Sequence, residues 1–422
     1  MASPPSSPQP PFAEAARFWA KLGFVSFGGP AGQIAILHRE VVERRRWLDD
    51  REFTRALNFC MLLPGPEALQ LAIFLGWKLH GIRGGVTAGL GFILPAVLLL
   101  FALSYVYVAH GSLPWVAALL YGLQAAVVAL VLQALARIAR RALQSSLHAV
   151  LAVASFVALE FARVPFPVVL LLAAAVGAFL ARRAASNEVA AAGATPAHAA
   201  QTARVAAVGL ALWLIPLLVV ATTLGAASLW TAIYLFFTKA ALVTFGGAYA
   251  VLGYVTSQLV DKLAWVTADQ SVAGLALAET TPGPLIIVLQ FMGFMAGWNQ
   301  PGPFSPLGSA LLAGALATWA TFLPSFLFIL LGAPYVERLT RNTRIEGALG
   351  AITAAVVGVI ATLALLLAKV VLFADGWPAA PDWNAVLIAL AAWFLLEHAR
   401  WPLGSVLLAA AASGLFLRLL QQ

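Results

Sequence analysis

The chain has 422 residues, of which 62% are hydrophobic and only 10% are charged. Soluble domains carry about 25% charged residues, so this composition excludes a soluble globular protein. The formal net charge is +8, but the cations lie in short loops between apolar segments, which is typical of a membrane protein and not of a nucleic-acid-binding surface. A single cysteine, Cys60, excludes an intramolecular disulfide and a thiolate metal cluster.

Thirteen apolar segments follow one another along the chain, many of them near or above the roughly 20 residues that span a bilayer. Residues 1–12, rich in Pro and Ser, lack the cationic start and the apolar core of a signal peptide, so we expect a disordered tail. A polar, Ala-rich stretch at 183–204 is predicted to be a cytoplasmic linker after the sixth segment. The segments lie at 13–37, 53–77, 86–109, 114–136, 147–162, 165–181, 205–222, 229–254, 271–297, 307–332, 347–373, 383–398 and 401–419.

The first six segments and the last six are related by an internal duplication. Two unusual motifs and three single residues recur at one offset of 218 residues, which chance rarely produces. The pairs are Phe27-Gly28-Gly29 with Phe245-Gly246-Gly247, Pro64-Gly65-Pro66 with Pro282-Gly283-Pro284, Lys21 with Lys239, Ser26 with Thr244, and Trp47 with Trp265.

Further along the chain the offset changes. Pro95 pairs with Pro324 at an offset of 229, which predicts an insertion of about eleven residues near 299–306 in the second half. We therefore predict two repeats, at 13–182 and 229–422, joined by a connecting helix at 205–228.

The distribution of Lys and Arg predicts how the segments lie in the membrane. If all thirteen segments cross, the 22 loop and tail cations divide 8 to 14; if the first two segments of each repeat are re-entrant, they divide 19 to 3, with Arg163, Lys262 and Arg418 outside. Each of these segments is interrupted by Gly-Gly or Pro-Gly-Pro, which favours re-entrance. On this count the amino terminus is cytoplasmic, and Arg44 and Arg341 lie on the same face.

The predicted fold class is an all-α integral membrane protein with two inverted-topology repeats. Each repeat has two broken re-entrant helical hairpins followed by four transmembrane helices, and one extra helix joins the repeats. Inverted repeats with broken helices are the usual architecture of secondary transporters, in which the substrate binds near the membrane midplane where the breaks meet.

Each break exposes the amino end of a short helix, whose unpaired N–H groups and partial positive charge favour anions. Pro30, Pro66 and Pro284 are predicted at first helical positions, and the glycines allow backbone and substrate to approach closely. The alternative is that these residues only kink their helices, as Gly and Pro often do in membranes. Their recurrence in register favours the anion site.

The candidate substrate-binding residues lie in the breaks or beside them. Lys21 and Lys239 are expected to neutralise part of a dianion's charge, unless they snorkel to an interface. Nearby hydroxyls and amides are expected to donate hydrogen bonds, unless the hydroxyls bond back to their own helices. The full set is Lys21, Ser26, Gly28, Gly29, Asn58, Gly65, Gln70, Lys239, Thr244, Gly246, Gly247, Thr281, Gly283 and Gln290.

Glu67 and Glu279, beside the Pro-Gly-Pro breaks, are candidates for a protonatable coupling role, with helix capping as the alternative for Glu67. The six histidines are scattered, and no His/Cys/Asp cluster has ligand spacing, so we predict neither a metal nor another cofactor. A membrane-embedded enzyme acting on lipid phosphates would need a nucleophile or metal cluster that the sequence lacks, so we do not expect an enzyme. The expected partners are the transported anion and membrane lipid, without nucleic acid; the oligomeric state is left open, a homodimer included.

Three stretches together resemble the chromate transporter (CHR) family: Phe18 to Gly32, the arginine-rich turn to Trp47-Leu48, and Asn58 to Trp77 around L-L-P-G-P-E-A. The second-half F-G-G and T-P-G-P motifs, the length and the duplicated plan are similar to the two-domain members, so the resemblance covers nearly the whole chain. It implies a secondary transporter that exports chromate from the bacterial cytoplasm across the inner membrane and confers chromate resistance. The resemblance also implies an ion gradient or the membrane potential as the energy source, in keeping with the lack of a Walker-type loop.

One departure concerns selectivity. A pair of glutamines often follows P-G-P-E-A in the family, whereas Leu69 and Gln70 stand here. Chromate and sulfate have the same charge and shape, so sulfate or another oxyanion is the alternative substrate, and an anion channel is the alternative mode of transport.

Overall fold

The computed structural model describes residues 9–184, 199–336, 343–373, 376 and 379–420, and all regular secondary structure in these ranges is helical. The all-α prediction is therefore confirmed for the described part of the chain. Residues 1–8 of the predicted tail, 185–198 of the predicted linker, and Arg341 lie outside the described residues.

In the described residues, seven helices form the first predicted repeat and an eighth connects it to the second repeat. They are α1 (Phe12–Val25), α2 (Gly29–His38, continued by a π-helical turn at Arg39–Arg44), α3 (Asp50–Met61), α4 (Glu67–His110), α5 (Pro114–Ala142), α6 (Ser146–Glu160), α7 (Phe166–Ala184) and α8 (Ala199–Thr223).

Eight more helices form the second half. They are α9 (Leu229–Leu242), α10 (Ala248–Ser257, continued by a π-helical turn at Gln258–Lys262), α11 (Ala268–Thr280), α12 (Val288–Asn299, preceded by a 3-10 turn at Leu285–Ile287), α13 (Pro306–Gly332), α14 (Thr343–Leu372), α15 (Trp383–Glu397) and α16 (Leu403–Leu420).

Five helical stretches of the described chain are long and apolar enough to cross a membrane. They are Glu67–His110, Pro114–Ala142, Ala200–Thr223, Pro306–Tyr335 and Ile345–Leu372. Six further apolar helical stretches are shorter, at 14 to 17 residues, and include α6, α9 and α15. Each predicted apolar segment is helical, and the four predicted to be interrupted are split into two helices.

The structure differs from the sequence-based boundaries at two places, within α4 and at the start of α8. The loop expected between the second and third segments is a kink inside α4, where His80 and Gly81 leave helical geometry; the Gly81 φ of 61° is one that glycine adopts readily. At the equivalent position of the second half the chain leaves the helix at 300–305, where the insertion was predicted. The connecting helix α8 begins at Ala199, so 199–204 belong to this helix and not to the linker.

Equivalent local geometry recurs in the two halves. The only described non-glycine residues with positive φ form two pairs: Arg46 (52°) with Ala264 (48°), and Arg163 (51°) with Arg400 (54°). The second pair reveals a third offset, 237 residues, which relates Glu-x-Ala-Arg-x-Pro at 160–165 to the same motif at 397–402. The duplication therefore extends through the last two helices of each half.

Two ion pairs also occupy equivalent positions in the two halves. Lys369 of α14 lies 2.9 Å from Glu160 of α6, and Arg140 of α5 lies 3.3 Å from Glu397 of α15. Each pair joins a helix of one half to a helix of the other half. Because all four side chains are accessible to solvent, water screens the charges and the pairs contribute little to stability; they serve here as markers of the packing.

The helix pairs that end the two halves are exchanged. α14 packs on α6 and α7 of the first half, while α5 packs on α15 and α16 of the second half, and α5 and α14 pack on each other. Glycines allow these close approaches: a side chain at Gly177, Gly358 or Gly122 would collide with the backbone of the neighbouring helix. The two halves are therefore interlocked, and the remaining helices of both, α1–α4 and α9–α13, form a second body.

Candidate substrate site at the crossing of four helix breaks

Four interruptions divide the helices at the positions that the sequence predicts. We call them break 1 (26–28, between α1 and α2), break 2 (62–66, between α3 and α4), break 3 (243–247, between α9 and α10) and break 4 (281–284, between α11 and the turn that leads into α12). Glycine makes each break sterically possible, since Gly28, Gly65, Gly246 and Gly283 all have positive φ.

The breaks meet in two reciprocal crossings. In the first crossing, the Gly283 N–H of break 4 donates to the Ser26 carbonyl of break 1 at 2.8 Å. In the second crossing, the Gly65 N–H of break 2 donates to the Thr244 carbonyl of break 3, also at 2.8 Å. Gly65 is equivalent to Gly283, and Ser26 is equivalent to Thr244. The two bonds are therefore equivalent, but the donor lies in the second half in the first bond and in the first half in the second bond. The structure thus brings the four predicted breaks together in pairs.

The helices that begin at these breaks have no side-chain cap. Of the other helices, α3, α6, α9, α11, α13 and α15 each begin with a side chain that accepts a backbone N–H; Asp49, Ser145 and Thr267 are examples. No such bond is present at the starts of α2, α4, α10 or the turn before α12. Outside the breaks, α1 and α5 also begin without a side-chain cap, after Pro11 and Leu113. Unpaired N–H groups at a helix start favour a negatively charged ligand.

The positions of Pro66 and Pro284 differ by one residue from the prediction. Both are N-cap residues with extended backbone. Pro30 is the second residue of α2, which begins at Gly29, so it is also shifted by one position from the prediction. An N-cap proline places its missing N–H outside the helix, so the first helical N–H groups remain available.

The hydroxyl groups among the predicted site residues are bonded within their own helices. Ser26 donates to the Leu22 carbonyl at 2.6 Å, Thr244 to Ala240 at 2.7 Å, and Thr281 to Ala278 at 2.8 Å. This back-bonding was the alternative that the sequence left open. In this structure their protons are not directed at a ligand.

Two predicted amides reach other elements. Gln70 Nε2 donates to the Pro64 carbonyl within break 2 at 2.7 Å, and Gln290 Nε2 donates to the Val97 carbonyl of α4 at 2.9 Å. The Oε1 atoms of both glutamines are buried without a hydrogen-bond partner in the described structure. Gln70 therefore lies at a break, whereas Gln290 packs on the neighbouring helix two turns further on.

Lys21, Lys239 and Asn58 take no part in the hydrogen bonds at the two crossings. Lys21 and Lys239 are exposed on α1 and α9, and neither makes an ion pair or hydrogen bond with a described residue. Asn58 lies on the exposed face of α3 together with Arg51 and Arg55. Their roles as ligands remain predictions.

The two carboxylates have different surroundings. Glu67 begins α4 directly after break 2 and is partly buried. Glu279 precedes break 4, is 6% exposed, and accepts a 2.6 Å hydrogen bond from the Tyr249 hydroxyl of α10. The bond connects Glu279 to α10, and its own helix, α11, also packs on α5.

Sequence reasoning missed two residues here, Tyr249 and Gln33. Gln33 of α2 is buried and donates from Nε2 to the carbonyls of Gly283 (2.5 Å) and Ser26 (3.2 Å), so it spans the first crossing. A lone amide in an otherwise apolar helix five residues after a Gly-Gly break was the signal that could have found it. Within the described residues, no group of three or more His, Cys, Asp or Glu could hold a metal.

Comparison with known proteins identifies one family. The sequence profile described as "Chromate transporter" matches residues 13–178 and 231–415. A "Chromate transport protein" of Pseudomonas aeruginosa is 36% identical, over 84% of this chain and 80% of the relative. A "Probable chromate transport protein" of Synechococcus elongatus is 29% identical over 84% of both chains, and a "Chromate transport protein" of Cupriavidus metallidurans is 29% identical over 86% of this chain and 88% of the relative. No solved structure matches the chain significantly.

The bond between Tyr249 and Glu279 predicts a specific loss of stability. Tyr249→Phe leaves the Glu279 carboxyl buried without this donor, which should destabilise the protein by about 1–3 kcal/mol. The measurement is the thermal unfolding midpoint of the purified protein in detergent. Tyr254→Phe is the matched control, because the Tyr254 ring stacks on Phe166 and its hydroxyl makes no hydrogen bond with a described residue. Equal midpoints for the two variants would contradict a structural role for the bond.

Proposed function

The chain belongs to the chromate transporter family, and on that premise we propose that it exports chromate, a tetrahedral dianion, across the bacterial inner membrane by secondary active transport and so confers chromate resistance. The observation that carries the proposal is the meeting, in two pairs, of four helix breaks whose helix starts lack side-chain caps. The relatives from Pseudomonas aeruginosa and Cupriavidus metallidurans, with which the chain aligns over most of its length, are named as chromate transport proteins.

The electrostatics suit a divalent anion. Each helix start carries a partial charge of about +0.5, so the two helix starts that meet at one crossing together offset about half of the charge of a dianion. The neighbouring glycines lack side chains, which lets backbone N–H groups approach an oxyanion closely. Backbone dipoles would then replace the hydration shell that the ion loses in the membrane.

We place the two repeats in inverted orientation, with the first repeat's hairpins entering from the cytoplasm, where the amino terminus lies, and the second repeat's from outside. The reciprocal crossings support this arrangement, because each break of one repeat meets the non-equivalent break of the other repeat, as expected if a two-fold relation links the repeats. The charges support it as well: Arg44 and Lys262 are equivalent residues that the cation count assigns to opposite faces.

The two sets of hairpins are packed differently, which indicates a one-sided state. α11 is buried over 271–279, and α10 and α11 pack on α14 and α5. The equivalent α3 buries only Phe53, Ala56, Phe59 and Cys60, and within the described chain α2 and α3 make no comparable contact with α5 or α14. The site is therefore proposed to be open on the side of α2 and α3, which is the cytoplasmic side in this orientation.

The interlocked helices define which parts can move. Rocking of one whole half against the other would separate α14 from α6 and α7, and would separate α5 from α15 and α16. A motion of the breaks' body (α1–α4 and α9–α13) against the exchanged bundle (α5–α7 and α14–α16) preserves these contacts. We assign alternating access to this boundary, with Glu67 and Glu279 as coupling groups beside the breaks.

Sulfate transport is the second candidate, since sulfate has the same charge and shape. The decisive experiment is uptake of labelled chromate into inverted membrane vesicles, with sulfate as competitor and a protonophore as control. Saturable uptake against a gradient, lost with the driving gradient, is the expected result. Flux that does not saturate or cannot move uphill would indicate a channel, and sulfate uptake without chromate uptake would assign the alternative substrate.

Cysteine labelling tests the inverted orientation. Arg44→Cys and Lys262→Cys occupy equivalent, exposed positions, and the native Cys60 is buried. A membrane-impermeant maleimide should label Lys262→Cys in intact spheroplasts and Arg44→Cys in inverted vesicles. Labelling of both from the same face would contradict inversion.

A disulfide between α10 and α14 tests the proposed moving boundary. A Cβ atom at Gly253 would lie 3.4 Å from the Cβ of Leu363, close to the separation in disulfides. Both helices belong to the second half, so rocking of whole halves predicts that oxidised Gly253→Cys/Leu363→Cys still transports. Motion of the two mixed bodies predicts that oxidation abolishes transport and that a reductant restores it, with oxidised Gly253→Cys alone as control.

A further inference from the structure

The two crossings share the same backbone bond but differ in the side chains around it. At the first crossing, Gln33 Nε2 donates to both carbonyls, Gly283 and Ser26. Only the nitrogen end of an amide can face two carbonyl oxygens, so these contacts fix its orientation. The equivalent of Gln33 in the second half is Val251, which offers no polar group to the second crossing.

The helix face beside each crossing also differs. A side chain at Gly283 would meet Ala96 of α4 at 2.7 Å, with the Phe92 carbonyl at 3.7 Å. At the equivalent place in the second crossing, a side chain at Gly65 would meet the Ser325 hydroxyl of α13 at 2.7 Å and Gln70 Nε2 at 2.6 Å. Ser325 is the equivalent of Ala96, at the offset of 229 that relates Pro324 to Pro95. The first crossing thus faces an apolar side chain where the second faces a hydroxyl.

A second hydroxyl lies on the same face. Thr321 precedes Ser325 by four residues, one helical turn, and is the equivalent of Phe92. Thr321 and Ser325 are 2% and 1% exposed. The Thr321 hydroxyl is fully buried without a hydrogen-bond partner among the described residues, as is the Ser309 hydroxyl near the start of the same helix. Other helical hydroxyls, such as Ser104 and Thr318, instead donate to the carbonyl four residues earlier. A buried hydroxyl without a partner is costly, so Thr321, one turn from the Ser325 hydroxyl at the crossing, calls for a ligand or water.

Gln70 adds a further donor at this place. Its Nε2 carries two N–H groups, and one described acceptor, the Pro64 carbonyl, uses one of them. The helix that begins here, α4, has no side-chain cap, and its first intrahelical bond runs from the Gln70 N–H to Pro66. The N–H groups before Gln70 in α4 are therefore also available.

From this asymmetry we infer that the oxyanion is bound at the second crossing, where Thr321 and Ser325 of α13 donate hydrogen bonds to its oxygens beside the start of α4. The first crossing is an anchor, whose polar atoms are already paired by Gln33. This inference rests on the proposed oxyanion transport and adds two ligand side chains that the sequence did not predict. It also makes equivalent positions of the two repeats unequal in function.

The test compares substitutions that remove only the hydroxyls. Ser325→Ala and Thr321→Val keep the volume nearly constant and remove no hydrogen bond within the described protein, so both variants should fold with unchanged or raised thermal stability. Each should raise the KM for chromate uptake into inverted vesicles about tenfold, as expected for a lost hydrogen bond to a charged group. Thr318→Val, which removes a hydroxyl paired to its own helix, and Ser104→Ala are the matched controls and should leave the KM unchanged.

The first crossing supplies the opposite comparison. Gln33→Leu should lower the unfolding midpoint, because two carbonyls lose a donor, while the KM of the protein that folds stays within about twofold of wild type, a margin of less than half a kcal/mol. Unchanged KM values in both Ser325→Ala and Thr321→Val, with wild-type protein transporting chromate, would overturn the assignment and leave the proposed function standing. Absence of chromate and sulfate uptake by the wild type would overturn both.

Discussion

Every backbone N–H and C=O group inside a membrane must find a partner in the protein, in trapped water or in a ligand. This requirement explains the pairing of the breaks: Gly65 and Gly283 each give their N–H to a carbonyl freed in the other half. It also identifies what remains, since the helix starts beside the breaks have no side-chain cap whereas six other helix starts have one. An oxyanion would satisfy groups that are otherwise costly to bury, so folding and binding depend on the same atoms.

The duplication gives the protein two copies of each structural feature, and the two copies differ in their polar side chains. The charged pairs Lys369–Glu160 and Arg140–Glu397 and the strained turns at Arg163 and Arg400 are retained in both halves. By contrast, Gln33, Thr321 and Ser325 have apolar equivalents. Features that hold the bundle together are thus symmetric, while polar atoms next to the glycines differ between the crossings. Such a division is expected if packing must work in both halves but one ion binds at a time.

The sequence was sufficient for the helical class, the four breaks and the site of the second-half insertion, because Gly, Pro and apolar runs constrain the backbone locally. The family assignment was likewise predictable from the motifs around Gly28 and Gly65, and the comparisons confirm it. The offset of 237 was missed because the last two helices share only a sparse Glu-x-Ala-Arg-x-Pro pattern.

Other features depend on tertiary contacts that no local pattern specifies. The exchange of helix pairs between α5 and α14, the bond from Tyr249 to Glu279, and the amide of Gln33 all join residues far apart in the sequence. Back-bonding by Ser26 and Thr244 was foreseen as an alternative, but the choice between a ligand and the helix carbonyl requires coordinates.

The exchange of helix pairs also has a consequence for biogenesis. α5 is inserted long before α15 and α16 emerge from the ribosome, so the surface that will receive them must first face lipid or the insertion machinery. This surface of α5 contains small residues, such as Gly122, which packs against Ala410 of α16. Small side chains make few contacts with other groups before α15 and α16 have been synthesised. Assembly can therefore finish only when the last segment has been synthesised. A chain truncated after α14 would leave the face of α5 that packs on α15 and α16 uncovered. Such an incompletely packed membrane protein is a natural target for quality-control proteolysis.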